Sequence, residues 1–525
     1  MSLKSKLPKT AAATLLLCSA AFSQENQIGG LEKAALSEER QAPEVSETHV
    51  EEKEASTPTV VLKPWQPQDR WRVSKYSARS LRNRWRVLDA TGVPVPRPSI
   101  FDPYNQNPLK GDFPVLGQNT FMVFTGVATP ASAFSSQNNA AIQANSNFVT
   151  ALEFFHGSTV FKPKDWSLKA SANAKLDFID ANKNQNIDLL ELFGEVKLFD
   201  VGDNFDFTSL RAGIQGFASD FDGFIFKDVN LGAQLFGELR QNRHQWALAY
   251  FDRLNKGGSV ADFNLLGQQV FAASLFWEDI FKPGFKTVFS FLYNRDRAVD
   301  ENNLDVFYLG FASAGNFGRF EFNPTFNFAF GTEGFNPIAQ SETTVTAFLA
   351  GMELAYVKNH RNYRTAAFVA SGDGNPNDDQ ATGFDSINDN IALFGAGNSF
   401  IIGATQFFTN ANSFLPSNRT EGISNFVNPG MVLLNLGLDL VLTPKTFFQF
   451  DANNFRFLNT SSLENVDERQ VGNEIVAALN YRVFLNENFI FQLGGSAFFP
   501  AAGGEQVLGD GSTVFTAKAA LVTVF

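Results

Sequence analysis

The stretch Arg319 to Gly331 reads R-F-E-F-N-P-T-F-N-F-A-F-G, and it decides the fold. Phe320, Phe322, Pro324, Phe326, Phe328 and Phe330 take every second place. Arg319, Glu321, Asn323, Thr325, Asn327 and Ala329 stand between them. A period of two puts one set on each face of an extended strand. About 12 residues at ~3.4 Å each cross a hydrocarbon layer when tilted. Pro324 has no N–H for a ladder, and a closed barrel has no free edge on which to hide that loss, so a bulge or bend is expected there.

The same alternation recurs to the last residue. Leu190, Leu192, Val196 and Leu198 oppose Glu191, Glu195 and Lys197. Leu434, Leu436, Leu438 and Leu440 oppose Asn435 and Asp439. Phe448 and Phe450 oppose Gln449 and Asp451, and Ile475 and Leu479 oppose Glu474 and Asn480. The expected fold is all-β: a transmembrane antiparallel barrel over 118–525 of about 18 strands, within 16 to 20, one face to lipid and one to the lumen. The terminal strand supports this. Phe525 ends it, and Phe515, Ala517, Ala519, Leu521 and Thr523 precede it in twos. A final aromatic after such a strand resembles the signal read by the barrel assembly machinery, which is therefore an expected partner beside outer-membrane lipid.

Composition agrees. The chain of 525 residues has 58 Phe and 40 Gly, and only 18% charged residues; soluble domains average about 25%. No stretch is apolar for long enough to make a helical membrane span. The net charge of −12 argues against nucleic acid as a partner. The single cysteine, Cys18, excludes an internal disulfide.

Residues 1–23 have the pattern of a secretory signal: Lys4, Lys6 and Lys9, an apolar core, then Ala21-Phe22-Ser23. Residues 24–117 are expected to form a periplasmic segment of low order. Its first part is Glu-rich. Its middle, 65–86, interleaves seven basic residues with Trp65, Trp71, Tyr76 and Trp85. Such a patch suits anionic head groups or cell-wall polymer. Its end, 91–117, is dense in Pro and Gly, which excludes helix and central strand. Long polar connections at 371–399 and 408–430 are placed outside the cell. The first, rich in Asp373, Asp378, Asp379 and Asp385, has the means to fold inward or to hold a divalent cation.

Three segments carry a family resemblance: L-R-A-G-I-Q-G-F-A-S-D-F-D-G-F-I-F-K-D at 210–228, S-G-D-G-N-P-N-D-D-Q-A-T-G-F-D at 371–385 and N-P-G-M-V-L-L-N-L-G-L-D-L-V-L-T-P-K at 428–445. Together they resemble porin-like outer-membrane barrels of the alginate-export type. That resemblance implies a pore ringed with arginines for an anionic polysaccharide. The inward set here is mixed in sign instead, which favours a general pore. Opposed rows of charge across it would make a transverse field.

The expected function is passive diffusion of small hydrophilic solutes through a water-filled lumen. The expected pore-lining residues are Arg319, Glu321, Asn323, Asn435, Asp439, Gln449, Asp451 and Glu474. Other readings are a structural or surface-interaction barrel with a plugged lumen, a polysaccharide-export pore, and an outer-membrane hydrolase built around His156 or His244. No catalytic residue, metal ligand or cofactor is assigned, and the chain is not expected to be an enzyme. Asp180 to Glu191, D-A-N-K-N-Q-N-I-D-L-L-E, spaces oxygens like a calcium loop but has Gln185 where the turn wants Gly. Association into homo-oligomers is compatible with the class.

Overall fold

The computed structural model describes residues 107–525, apart from 137–141, 158–162, 180–181, 203–205, 255–263, 298–302, 337, 388–397, 404–424 and 485–487. The signal segment 1–23 and the basic-aromatic stretch 65–86 lie outside the described residues.

In chain order the strands are β1 (Lys110–Leu116), β2 (Thr120–Ser135), β3 (Ile142–His156), β4 (Trp166–Ile179) and β5 (Asn182–Asp200). Next come β6 (Phe207–Ala218), β7 (Lys227–Leu239), β8 (His244–Leu254), β9 (Leu265–Glu278) and β10 (Lys286–Asp296). They are followed by β11 (Leu304–Phe317), β12 (Phe320–Asn336), β13 (Ser341–Lys358), β14 (Arg361–Ala370) and the two-residue β15 (Gln380–Ala381). A short helix α1 (Phe400–Gly403) precedes β16 (Met431–Thr443), β17 (Thr446–Phe457), β18 (Gln470–Arg482) and β19 (Phe489–Pro500). Helix α2 (Ala502–Leu508) leads into β20 (Val514–Val524).

Eighteen of these strands form one closed ring. Each pairs antiparallel with its neighbours in sequence, and β14 pairs with β16 across the long connection. The ring closes where Val127 to Ser135 of β2 meets Val524 to Thr516 of β20. Phe525 then exchanges backbone hydrogen bonds with Gly126 at 2.8 and 3.0 Å. Closure leaves no open edge, which is what a β-structure needs inside a bilayer. β1 and β15 are additions to the ring. β1 lies against β2 below the end of β20, and its register breaks on both sides of Pro114. That is where proline is tolerated in a sheet, at an edge.

The faces follow the alternation. Phe320 is 56% exposed, and Phe326 and Leu436 are exposed beside it on the outer surface. Thr325, Asn327 and Ala329 are buried on the inner face. The bulge expected at Pro324 is not there. β12 keeps one register with β13 through Pro324↔Met352. With β11 it keeps one register on either side, and the ladder simply lapses opposite Ser313 and Ala314. The missing donor therefore costs local pairing and moves no neighbour.

The two ends of the barrel differ. Turns of a few residues, such as 318–319, 359–360 and 444–445, lie at the end where β20 finishes. Longer connections, 219–226, 458–469, 501–513 and above all 371–430, lie at the other. The first end is periplasmic and the second external, as in barrels of this class. The two long polar connections expected from sequence are one excursion, which among the described residues contains β15 and α1. The calcium-like segment is extended instead of looped. From Asn182 it runs as β5, where Asp188 pairs with Lys175 and Glu191 with Lys169, both at 2.6 Å.

Candidate functional site: a lumen entered by two loops

The excursion 371–430 leaves β14 and returns to β16 through a tight neck. Gly430 has φ 61, and a Cβ there would stand 2.5 Å from the Gly372 nitrogen. A Cβ on Gly372 would meet the Pro429 carbonyl oxygen at 2.0 Å. Only glycine lets the two strands of the neck come this close. Asn428 ties the neck together. Its Nδ2 donates to the carbonyls of Asn425 (2.6 Å) and Phe384 (3.0 Å), and its Oδ1 accepts from Gly430 N–H (2.9 Å). Asp373 N–H donates to the Asn428 carbonyl at 2.6 Å. Asp373 itself is buried, and that burial pushes its carboxyl above the ordinary carboxylate range.

Beyond the neck the chain turns into the barrel. β15 first pairs parallel with Thr344 and Val345 of β13. Phe384, Ile387, Phe400, Ile401 and Phe426 are then almost wholly buried, in one apolar cluster with Phe251, Val270, Leu292 and Val306 of the wall. Tyr308 donates its hydroxyl to the Asp385 carbonyl at 3.1 Å. Arg253 of β8 donates to Gln268 (2.7 Å) and to the Ile387 carbonyl (3.3 Å).

A second insertion meets the first. In 219–226 the Asp220 carboxylate accepts from the N–H groups of Asp222, Gly223, Phe224 and Ile225 at 2.6 to 3.3 Å. This folds the loop so that Phe224, Ile225 and Phe226 point into the same cluster. Phe224 stacks on Phe368, with ring centroids 5.4 Å apart. Ile387 N–H donates to the Ile225 carbonyl at 3.0 Å.

Four of the expected lining residues form a single polar row across β14, β16, β17 and β18. Arg364 grips Asp439 with two hydrogen bonds, at 2.8 and 2.9 Å, and reaches Asp451 at 2.9 Å. Asn435 donates to Asp451 (3.2 Å) and Asn453 (2.7 Å), and Asn453 donates to Glu474 (3.3 Å). Glu474 also accepts from Ser399 Oγ (2.6 Å) and Phe400 N–H (2.5 Å). It therefore fastens the inward chain to the wall. Gln449 is half-buried and stands across from Asp439 in register.

The other expected residues lie apart, on β12 and in the turn before it. Asn323 is the register partner of Glu353, and Glu321 that of Ala355. Arg319 sits in the turn at the periplasmic rim, exposed. His156 contacts Asp165 at 3.1 Å and His244 packs on Trp277, both at the periplasmic ends of their strands.

Several inward charges are joined in neighbouring pairs. Lys169–Glu191, Lys175–Asp188 and Arg211–Glu195 line β4 to β6, and Lys164 of the β3–β4 connection pairs with Glu153 of β3. The Arg211 guanidinium also lies between the rings of Phe193 and Phe236, at 4.7 and 5.0 Å. Adjacent pairing cancels the separated rows that a transverse field needs. Alternation along a single strand does not reveal which residue of the next strand stands opposite. That is why Arg364 as a hub, and Ser399 as its distant neighbour in the row, were missed. The inward hairpin did leave a signal: Phe224-Ile225-Phe226 breaks the period of two after Asp-Gly.

No family model and no curated protein matches the chain. Solved structures do. The outer membrane protein OprD from Pseudomonas aeruginosa is 12% identical, with a TM-score of 0.50 over 77% of this chain and 94% of that one. Acinetobacter baumannii OccAB2 is 9% identical, with a TM-score of 0.50 over 77% of this chain and 98% of that one. At this identity the likeness is one of fold. It corrects the alginate-export resemblance: the solved neighbours are OprD- and Occ-type barrels, and nothing in them points to the export type.

Proposed function

We propose that the protein is a passive outer-membrane channel for small hydrophilic solutes, with its bore set by the two inward loops. One observation carries this reading: an eighteen-strand ring whose inner wall bears the polar row from Arg364 to Glu474, entered from outside by 219–226 and by the described parts of 371–430. A ring of this size has room for an aqueous path, and the loops decide how much of it remains. On this reading Glu321, Asn323, Asn435, Asp439, Gln449, Asp451 and Glu474 border the path, and Arg319 stands at its periplasmic exit. Recognition of β20 through Phe525 by the assembly machinery, and association of copies in the membrane, belong to the same proposal.

A second reading, a sealed surface barrel, draws on the apolar packing of Phe384, Phe400 and Phe426 against the wall. Planar-bilayer recording separates the two. Discrete conductance steps from purified, folded protein support the channel, and a silent barrel that still shows heat-modifiable gel mobility supports the sealed form.

A further inference from the structure

The β13–β14 hairpin carries two cations at one point of the outer surface. Lys358 and Arg361 are register partners, and both are exposed. Even positions of β13 and odd positions of β14 face outward, as exposed Met352 and Tyr363 do. Both head groups therefore stand on the lipid side of the periplasmic rim. Like charges opposed on one face of a sheet repel and weaken the pairing. Among the described residues neither has a carboxylate partner. At this level β16 presents Leu440 outward, and one outward pair nearer the membrane β12 presents Phe320; neither is an acid. Exposed Arg319 adds a third positive charge from the adjoining turn, whose carbonyl accepts from Val357 N–H at 2.9 Å.

The position along the strands identifies what neutralises them. Tyr356 and Tyr363 are the next outward pair toward the membrane, and Phe320 packs on Tyr356 at 4.9 Å. Tyrosine on a barrel exterior marks the boundary between hydrocarbon and head groups. Two residues further, about 7 Å along the strand, lies the level of the lipid phosphates.

We propose that Lys358 and Arg361 form a binding site for the phosphate of an anionic phospholipid in the periplasm-facing leaflet. The guanidinium offers paired donors, and the ammonium offers a point charge from the opposite strand. The acyl chains of the same lipid lie against Phe320, Tyr363 and Leu440. A free phosphate ion gains nothing from those apolar neighbours.

The test uses the full-length barrel in detergent, titrated with phosphatidylglycerol or phosphatidylcholine and read by native mass spectrometry. The wild type is expected to hold phosphatidylglycerol in preference to phosphatidylcholine, undisturbed by inorganic phosphate. K358Q/R361Q is expected to bind it roughly thirtyfold more weakly, and R361Q alone by an intermediate amount. K282Q, which removes an exposed cation elsewhere on the rim, is expected to match the wild type. Heat-modifiable mobility reports that each variant is folded. Equal retention by K358Q/R361Q and wild type would overturn the proposal. So would displacement of the lipid by phosphate, or binding of isolated cell-wall sacculi in place of lipid.

Discussion

Gly437 shows how much one missing side chain can decide. It is the register partner of both Arg364 and Asp451, and the guanidinium reaches Asp451 by crossing above it. A Cβ at 437 would stand 2.6 Å from Asp451 Oδ1 and 2.9 Å from Arg364 Cζ. Gly437→Ala is therefore expected to push the pair apart and to destabilise the barrel by about 1–3 kcal/mol. The check is a lower midpoint for heat-modifiable gel mobility, with Leu436→Ala on the lipid face as the control. Asp220 is the same lesson with the sign reversed: one carboxylate gathers four N–H groups. Asp220→Ala is expected to leave those donors unsatisfied, at a cost of about 1–3 kcal/mol each where they stay buried. Phe224 to Phe226 then lose their inward position, which faster hydrogen exchange over 219–226 would register. Asp439, Asp451 and Glu474 were legible in the sequence as inward residues because alternation assigns faces. Their partners were not, because register between strands is a property of the assembled sheet.

At the scale of elements, the strands and the presence of a long outer connection were readable, and the fold of that connection was not. Alternation has a period, and a strand repeats it, whereas the excursion 371–430 has only scattered cues: paired glycines, Asn428-Pro429-Gly430, and isolated phenylalanines among polar residues. Its external neck buries Asp373. Burial raises the carboxyl's pKa, so the folded neck holds a proton more tightly than the unfolded one. Stability of the neck is then lowest at neutral pH, rises as pH falls through the raised value, and levels off below the ordinary aspartate value, where both states are protonated. Hydrogen-exchange protection over 371–387, corrected for intrinsic rates, is expected to increase between about pH 7 and about pH 4. Asp373→Asn is expected to flatten the profile. Protection that declines on acidification of the wild type contradicts the assignment. Asn428→Ala removes three hydrogen bonds of the neck and is expected to lower protection across the same segment at every pH.

For the whole molecule, the arrangement of charge matters more than its total. The chain carries a net −12, which alone would favour cations in a pore. On the inner wall, however, many acids and bases are paired between adjacent strands, from Lys169–Glu191 round to Arg364, which stands between Asp439 and Asp451. A matched pair has a field that falls off faster than that of a single charge, and salt screens the remainder within about 10 Å at 0.1 M. The wild-type channel is therefore expected to discriminate weakly between K⁺ and Cl⁻, with a reversal potential near zero in a KCl gradient. Replacing both Asp439 and Asp451 by Asn keeps the size of the side chains and leaves Arg364 as an unmatched cation facing the path. The reversal potential of D439N/D451N is expected to move toward that of chloride, most clearly at low salt. R364Q, which instead leaves two carboxylates unmatched, is expected to move it toward potassium. Opposite shifts from the two variants place the Arg364 cluster beside the conducting path. Unchanged selectivity in both, with conductance intact, places the path elsewhere in the lumen, on the side of β12.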